Sequence, residues 1–177
     1  MLTRNWYNGI MSMLVGGTLA GAQTDYNGAV KDLVKPIGSN QMGYAYQYLS
    51  WFDASVQTNY TSGSTRGIFL GTGTTAPTLD DYKMSGDVIS GISVSVSHAQ
   101  EIDDTGVLGS KTITITNNNS SAITISEIGW FGYLYYTITV NGNAVLLDRT
   151  VLDSPVTIPA GGVGQVTYTI RMNYPTA

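Results

Sequence analysis

The chain has 177 residues, no cysteine, a charged fraction of 11% and a formal net charge of −4. This is length for one ordinary domain with a sizeable core, and the absence of cysteine excludes a disulfide framework, a thiolate nucleophile and a Cys-held zinc. With so few Lys and Arg to neutralise phosphates, nucleic acid is not expected as a direct partner, and no run approaches the roughly 18 apolar residues of a membrane span.

Typical soluble domains carry about 25% charged residues. Here Gly, Thr, Ser, Asn and Tyr take their place, and such a surface suits burial against neighbouring chains because few charges keep copies apart. The charge is also uneven: between residues 67 and 110, Lys83 stands against Asp80, Asp81, Asp87, Glu101, Asp103 and Asp104.

At the N-terminus Trp6, Ile10, Met13 and Leu14 recur at helical spacing, with Thr3 placed to cap. Their shared face is a candidate interface. The apolar stretch IMSMLVGGTLAGA imitates the end of a secretory leader, but Ser12, Gly16, Gly17 and Thr18 interrupt it, and retention is expected. From Gly16-Gly17 to residue 43 the periodic signals weaken, and Lys35-Pro36-Ile37-Gly38 reads as a turn. Residues 1–43 are therefore expected to form a helix and an extended arm, lying either on a neighbouring subunit or as a locally packed loop.

From residue 44 the period becomes two. In YAYQYLSWF, Tyr44, Tyr46 and Tyr48 share one face of an expected strand and are further interface candidates. SVQTNY follows, then a turn at Thr61-Ser62-Gly63-Ser64 and a short buried strand GIFL. VISGISVSVSH alternates Ile92, Val94 and Val96 against Ser93, Ser95 and Ser97, the pattern of a half-buried strand. KTITIT, AITISEIGWFG, YLYYTITV, AVLLDRTVL, PVTI and VGQVTYTIRMNY complete the series, with Asn141-Gly142 as a hairpin signal. Residues 44–177 thus read as an all-β domain, an antiparallel β-sandwich of the jelly-roll or Ig-like kind. No internal repeat of fixed period is evident.

Gly71-x-Gly73-x-x-Ala76 follows an apolar run and imitates a dinucleotide loop. That chemistry needs a full helix after the glycines to present amides to the pyrophosphate. Pro77 follows at once and Ser85-Gly86 closes the segment, so the stretch reads as a turn at a strand end, with Thr78 and Asp81 spaced as a capping box. His98, the only histidine, shares parity with Ile92, Val94 and Val96 and reads as a strand-end residue near the core edge rather than a general base. Glu101, Asp103 and Asp104 form the densest acidic loop; it has the oxygens calcium prefers but no EF-hand spacing, and a solvated turn is favoured. Glu127, beside Ile128-Gly129 on an otherwise apolar strand, and Arg149, after the Asn141-Gly142 hairpin, are candidates for a partly buried pair that fixes strand register. The alternative is that both face water.

The segments LTRNWYN, GTGTTAPTLDDYKM, SEIGWFG and LLDRTVLDSPVTIPAGGVGQVTYTI, in this order, resemble small virion structural proteins of tailed bacteriophages. The similarity spans nearly the whole chain, and the order of the motifs carries it. It implies a non-enzymatic component of the virion, such as an auxiliary capsid, decoration, fibre or tail-associated protein, whose partners are copies of itself and other virion proteins. No cofactor is expected. The alternative is a receptor- or carbohydrate-binding module on the virion surface, with a host surface glycan as partner and aromatic side chains to stack on its sugars.

Overall fold

The computed structural model describes residues 1–15, 18–34, 56–57, 67–135 and 142–174. Strands dominate. One helix, α1 (Arg4–Val15), precedes β1 (Thr18–Thr24), β2 (Val30–Val34), β3 (Val56–Gln57), β4 (Gly67–Gly71), β5 (Ile92–Asp103), β6 (Gly106–Asn117), β7 (Ile123–Tyr135), β8 (Gly142–Ile158) and β9 (Val163–Asn173). The chain divides into two compact units, one of residues 1–90 and 125–155, the other of residues 91–124 and 156–177.

The first unit holds a hairpin of β1 and β2 and a four-stranded sheet in the order β3-β4-β7-β8. β4 pairs antiparallel with β7, and β3 pairs parallel with β4. Every residue of β4 is buried, which explains why GIFLG shows no alternation: with both faces covered, neither parity must be polar. Phe69, Met84, Phe131, Ala144 and Leu146 form a core cluster against which Tyr26 and Val88 pack. Phe69 and Phe131 meet edge to face at 4.8 Å. Gly129 has a steric reason to be glycine: a Cβ there would lie 2.2 Å from the Met84 sulfur.

The helix docks with polar side chains. Asn5 and Gly9 are the buried positions of its first two turns, while Trp6 and Ile10 are half-buried. Asn5 donates to the Thr24 carbonyl and accepts from the Thr24 amide, both at 2.8 Å, as a neighbouring strand would. Asn8 donates to the Ala22 carbonyl at 2.6 Å. Thr3 stands just before α1, but its hydroxyl donates to the Leu146 carbonyl at 2.6 Å instead of capping the helix. Residues 1–3 run along β8 through an antiparallel bridge between Leu2 and Asp148, and the Met1 ammonium sits 2.9 Å from the Asp148 carboxylate.

The second unit is built on an antiparallel sheet in the order β5-β6-β9, whose ladders run without a shift from Ile92↔Asn117 to Asp103↔Gly106 and from Gly106↔Asn173 to Thr116↔Val163. Ile113, Ile115, Val166 and Tyr168 are buried on one face. The other presents rungs such as Ser95-Thr114-Gln165 and Ser97-Thr112-Thr167, which accounts for the alternation of aliphatic and hydroxyl residues in the sequence. Asn117 is fully buried; its amide donates to the carbonyls of Ser121, Ile158 and Pro159 at 2.8, 3.1 and 3.0 Å, and its Oδ1 accepts from the Asn119 amide.

Four strands differ from the sequence expectation in extent: β5 begins at Ile92 instead of Val88 and runs on to Asp103, and β6 begins at Gly106, before KTITIT. β7 joins AITISEIGWFG to the start of YLYYTITV, and β8 continues from AVLLDRTVL through Pro155 to Ile158. Pro155 is tolerated there because, among the described residues, β8 is the terminal strand in its sheet's order and the bridge from Leu2 reaches it only at Asp148, so the backbone at 155 can do without a ladder partner on one side.

Candidate functional site

The most elaborate arrangement of charged groups in the first unit grows from the loop of residues 72–87, between β4 and Val88. Its neck is closed by backbone: the Thr72 amide donates to the Asp87 carbonyl at 3.1 Å and the Ile89 amide to the Leu70 carbonyl at 2.8 Å. Gly73 and Gly86 lie back to back across the loop. A Cβ on Gly86 would meet the Gly73 nitrogen at 2.3 Å, so the two glycines allow an approach that any side chain would prevent.

That approach turns backbone amides into the loop, and one carboxylate fills the space they surround. Glu127, opposite Gly71 on β7, is 0% exposed. Its Oε1 accepts from the amides of Gly73 and Gly86 at 3.1 and 2.8 Å, and its Oε2 from the amide and hydroxyl of Ser85 at 3.2 and 3.0 Å. The glycine loop therefore cradles an anion, but the anion belongs to the chain.

Arg149 of β8, 1% exposed, completes the cluster. Its Nε donates to Glu127 Oε2 at 2.8 Å and its Nη1 to Asp81 Oδ2 at 2.7 Å. Its Nη2 donates to the Thr75 carbonyl and the Ser85 hydroxyl. Asp81 in turn holds Thr78, accepting from its amide at 2.9 Å and its hydroxyl at 2.8 Å. The capping-box spacing thus closes a turn without a helix, and the same carboxylate faces the guanidinium.

Burial pushes the Glu127 carboxyl up, but the hydrogen bonds from Arg149 and from the Gly86 and Ser85 amides outweigh it and hold the group below the usual carboxylate range. Asp81 is lowered in the same way: burial raises it, while Thr78 and Arg149 lower it further. Arg149 is raised, its two carboxylate partners outweighing its own burial. The cluster is therefore an ionised clamp that fastens the loop to β7 and β8. It offers no proton to exchange at neutral pH, and the Ser85 hydroxyl is engaged both as donor and as acceptor.

Among the other candidates, Trp6 lies 5.2 Å from Trp130, ring centroid to ring centroid, and Ile10 is half-buried. Met13 and Leu14 fall on α1 by backbone; their side chains, like Tyr44, Tyr46 and Tyr48, lie outside the described residues. His98 is exposed near the middle of β5, opposite Lys111, not at a strand end. In the acidic loop, Glu101 and Asp103 belong to β5 and only Asp104-Thr105 turn. Asp103 accepts from the Thr105 amide at 2.7 Å and the Gly106 amide at 2.9 Å, and the cation facing it is Arg171 of β9, 2.9 Å away. Hydrogen bonds from the Thr105 hydroxyl and Arg171 hold its carboxyl well below the ordinary range. Among the described residues no three His, Asp or Glu gather around one point as a metal ion requires, and no helix is long and apolar enough to cross a membrane.

Sequence reasoning missed Ser85 and Asn117. Ser85-Gly86 was legible only as the end of a segment, and Asn117 only as the first residue of an Asn-rich turn. Their roles depend on strands that arrive later in the chain. Comparison with family models, with curated proteins and with solved structures finds no match for the chain.

Proposed function

We propose that the protein is a structural component of a phage virion, in its head or tail, that works through contacts with copies of itself and with other virion proteins. Its strands are read as an antiparallel sandwich of jelly-roll or Ig-like type. The clamp of Glu127, Arg149 and Asp81 serves as internal bracing, and no chemical step is assigned to it. The observation that carries this reading is the surface of the second unit. On a chain with 11% charged residues, Ile102 is 74% and Met172 57% exposed, and Val163 and Tyr174 are exposed as well. Ile102 and Met172 flank Val107 on one rung, whereas Val163 lies at the other end of β9; apolar residues exposed on so ion-poor a chain mark surface that other protein covers. The order of motifs shared with small virion proteins supports the same reading.

Sedimentation velocity of the purified chain across a micromolar concentration series tests it. Concentration-dependent oligomers are expected, because burial of this surface between subunits is the proposed mode of action. A stable monomer throughout the series, retained on immobilised bacterial surface glycans, would replace this reading with that of a binding module.

A further inference from the structure

The second unit carries a feature more specific than an apolar surface. Among the described residues β5 and β9 are the two edges of its sheet, each with β6 as its strand neighbour. They are long, 12 and 11 residues, and neither ladder has a bulge. Neither strand contains proline. Proteins that work alone blunt such edges with bulges, proline or lysine, and these two edges have none of the three. From Ser95 onward every residue of β5 is exposed, on both faces.

The charges on the two edges are of opposite sign. β5 carries Glu101 and Asp103 and no Lys or Arg; β9 carries Arg171 and no acid. Both strands pair antiparallel with β6, so they run in the same direction, and the registers place Glu101, Leu108 and Arg171 on one rung. Glu101 has no ion pair among the described residues, and Arg171 spends its Nη2 on Asp103 and its Nε on Asn173, which leaves Nη1 for another acceptor.

We propose that copies of this chain join edge to edge, β5 of one lying parallel to β9 of the next, in the register that sets Glu101 beside the neighbour's Arg171. This deepens the assembly reading above and rests on it. In that register the same rung order continues from copy to copy. Val96 meets the neighbour's Val166, Ile102 its Met172, and Ser97 its Thr167, so apolar rows extend apolar rows and hydroxyl rows extend hydroxyl rows. Pairing β5 with β5 brings acid only to acid or to neutral residues, and pairing β9 with β9 leaves Arg171 without a carboxylate. The ladder supplies the attraction, and the ion pair selects partner and register. The contact is heterologous, using different surfaces on the two copies, so it propagates around a ring or along a filament.

The absence of native cysteine makes the test direct. Within one copy Ser97 and Thr167 lie two strands apart, roughly 9–10 Å, beyond the span of a disulfide; in the proposed contact they are adjacent. Ser97→Cys and Thr167→Cys chains are prepared separately, mixed and oxidised. A covalent dimer is expected in the mixture and in neither chain alone, and the double variant should give a ladder of covalent multimers. Glu101→Lys should weaken association roughly tenfold or more, since it opposes Arg171 with a like charge. Dimers from Ser97→Cys alone would show β5 pairing with itself and overturn the proposal. Oligomers in sedimentation with no cross-link in the mixture would overturn the edge contact and leave the assembly reading standing, whereas a monomer at every concentration would overturn both.

Discussion

Arg149 is the side chain on which the first unit's loop depends most. Three of its nitrogens reach four acceptors, two of them ionised. Removing one member of a buried ion pair costs about 3–5 kcal/mol, because the partner's charge stays behind without compensation. Arg149→Met is therefore expected to lower the unfolding free energy by that amount. Glu127→Gln should cost less, because its amide keeps one acceptor for the loop's N–H groups while the charge is lost. The double variant should be more stable than the sum of the two losses predicts, by about 1–3 kcal/mol of coupling, read from urea unfolding of all four proteins. Additive losses would show that the two side chains do not act as a pair.

At the scale of elements, one residue ties together two turns of the second unit. Asn117 ends β6, and its amide donates to the carbonyls of Ser121, Ile158 and Pro159, while its backbone accepts from Gly161 and donates to Gly162. Asn117→Asp would replace three donated hydrogen bonds with a carboxylate facing three carbonyl oxygens. A loss of about 2–4 kcal/mol is expected, with faster amide exchange at residues 118–121 and 158–162 as the local signature. Unchanged exchange there would mean that the turns hold without it.

The same elements show what the sequence could reveal. The alternation of Ile113 and Ile115 with threonines was legible because one face of β6 is covered and the other is not; in β5 the half-buried pattern holds only for Ile92 and Val94, since Val96 and all that follows it in the strand are exposed. Glu127 and Arg149 stood out as ions in apolar strands, and the structure brings them to 2.8 Å. The hairpin of β1 and β2 was not legible: TLAGAQT is poor in β-branched residues, a register shift separates Leu19 from Gln23, and the Asn5 and Asn8 amides that support it come from the helix. Hydrophobic periodicity marked Trp6 and Ile10 of α1 but could not register Asn5 and Gly9, which are its buried positions. Asp81 showed its cap spacing but not its ion pair, which comes from residue 149.

For the molecule as a whole, acid is the informative perturbation. Glu127, Asp81 and Asp103 all have carboxyls lowered in the native state, so between the native and unfolded values the unfolded chain binds more protons. The stability they provide is complete above the ordinary carboxylate range, about pH 4–4.5, and is lost as pH falls through the lowered native values. Thermal melts should therefore vary little from neutral pH to about pH 5 and drop below it. Asp103 is exposed and screened, so its share is small; the loss should appear first in the fluorescence of Trp6 and Trp130, which lie together in the first unit. Glu127→Gln should flatten the acid limb, and an unaltered slope would assign the acid sensitivity elsewhere.

The clamp also bears on how the chain acquires its shape during synthesis. The loop of residues 72–87 leaves the ribosome well before the groups that fasten it: Gly73 waits 54 residues for Glu127, and Thr75 waits 74 for Arg149. At translation rates of about 5–20 residues per second that is a delay of several seconds, in which the whole of β5 and β6 emerges. The first unit cannot lock until β8 has been made, so it is a late-closing, high-contact-order body, and a nascent chain arrested before residue 149 should carry an open, protease-sensitive loop.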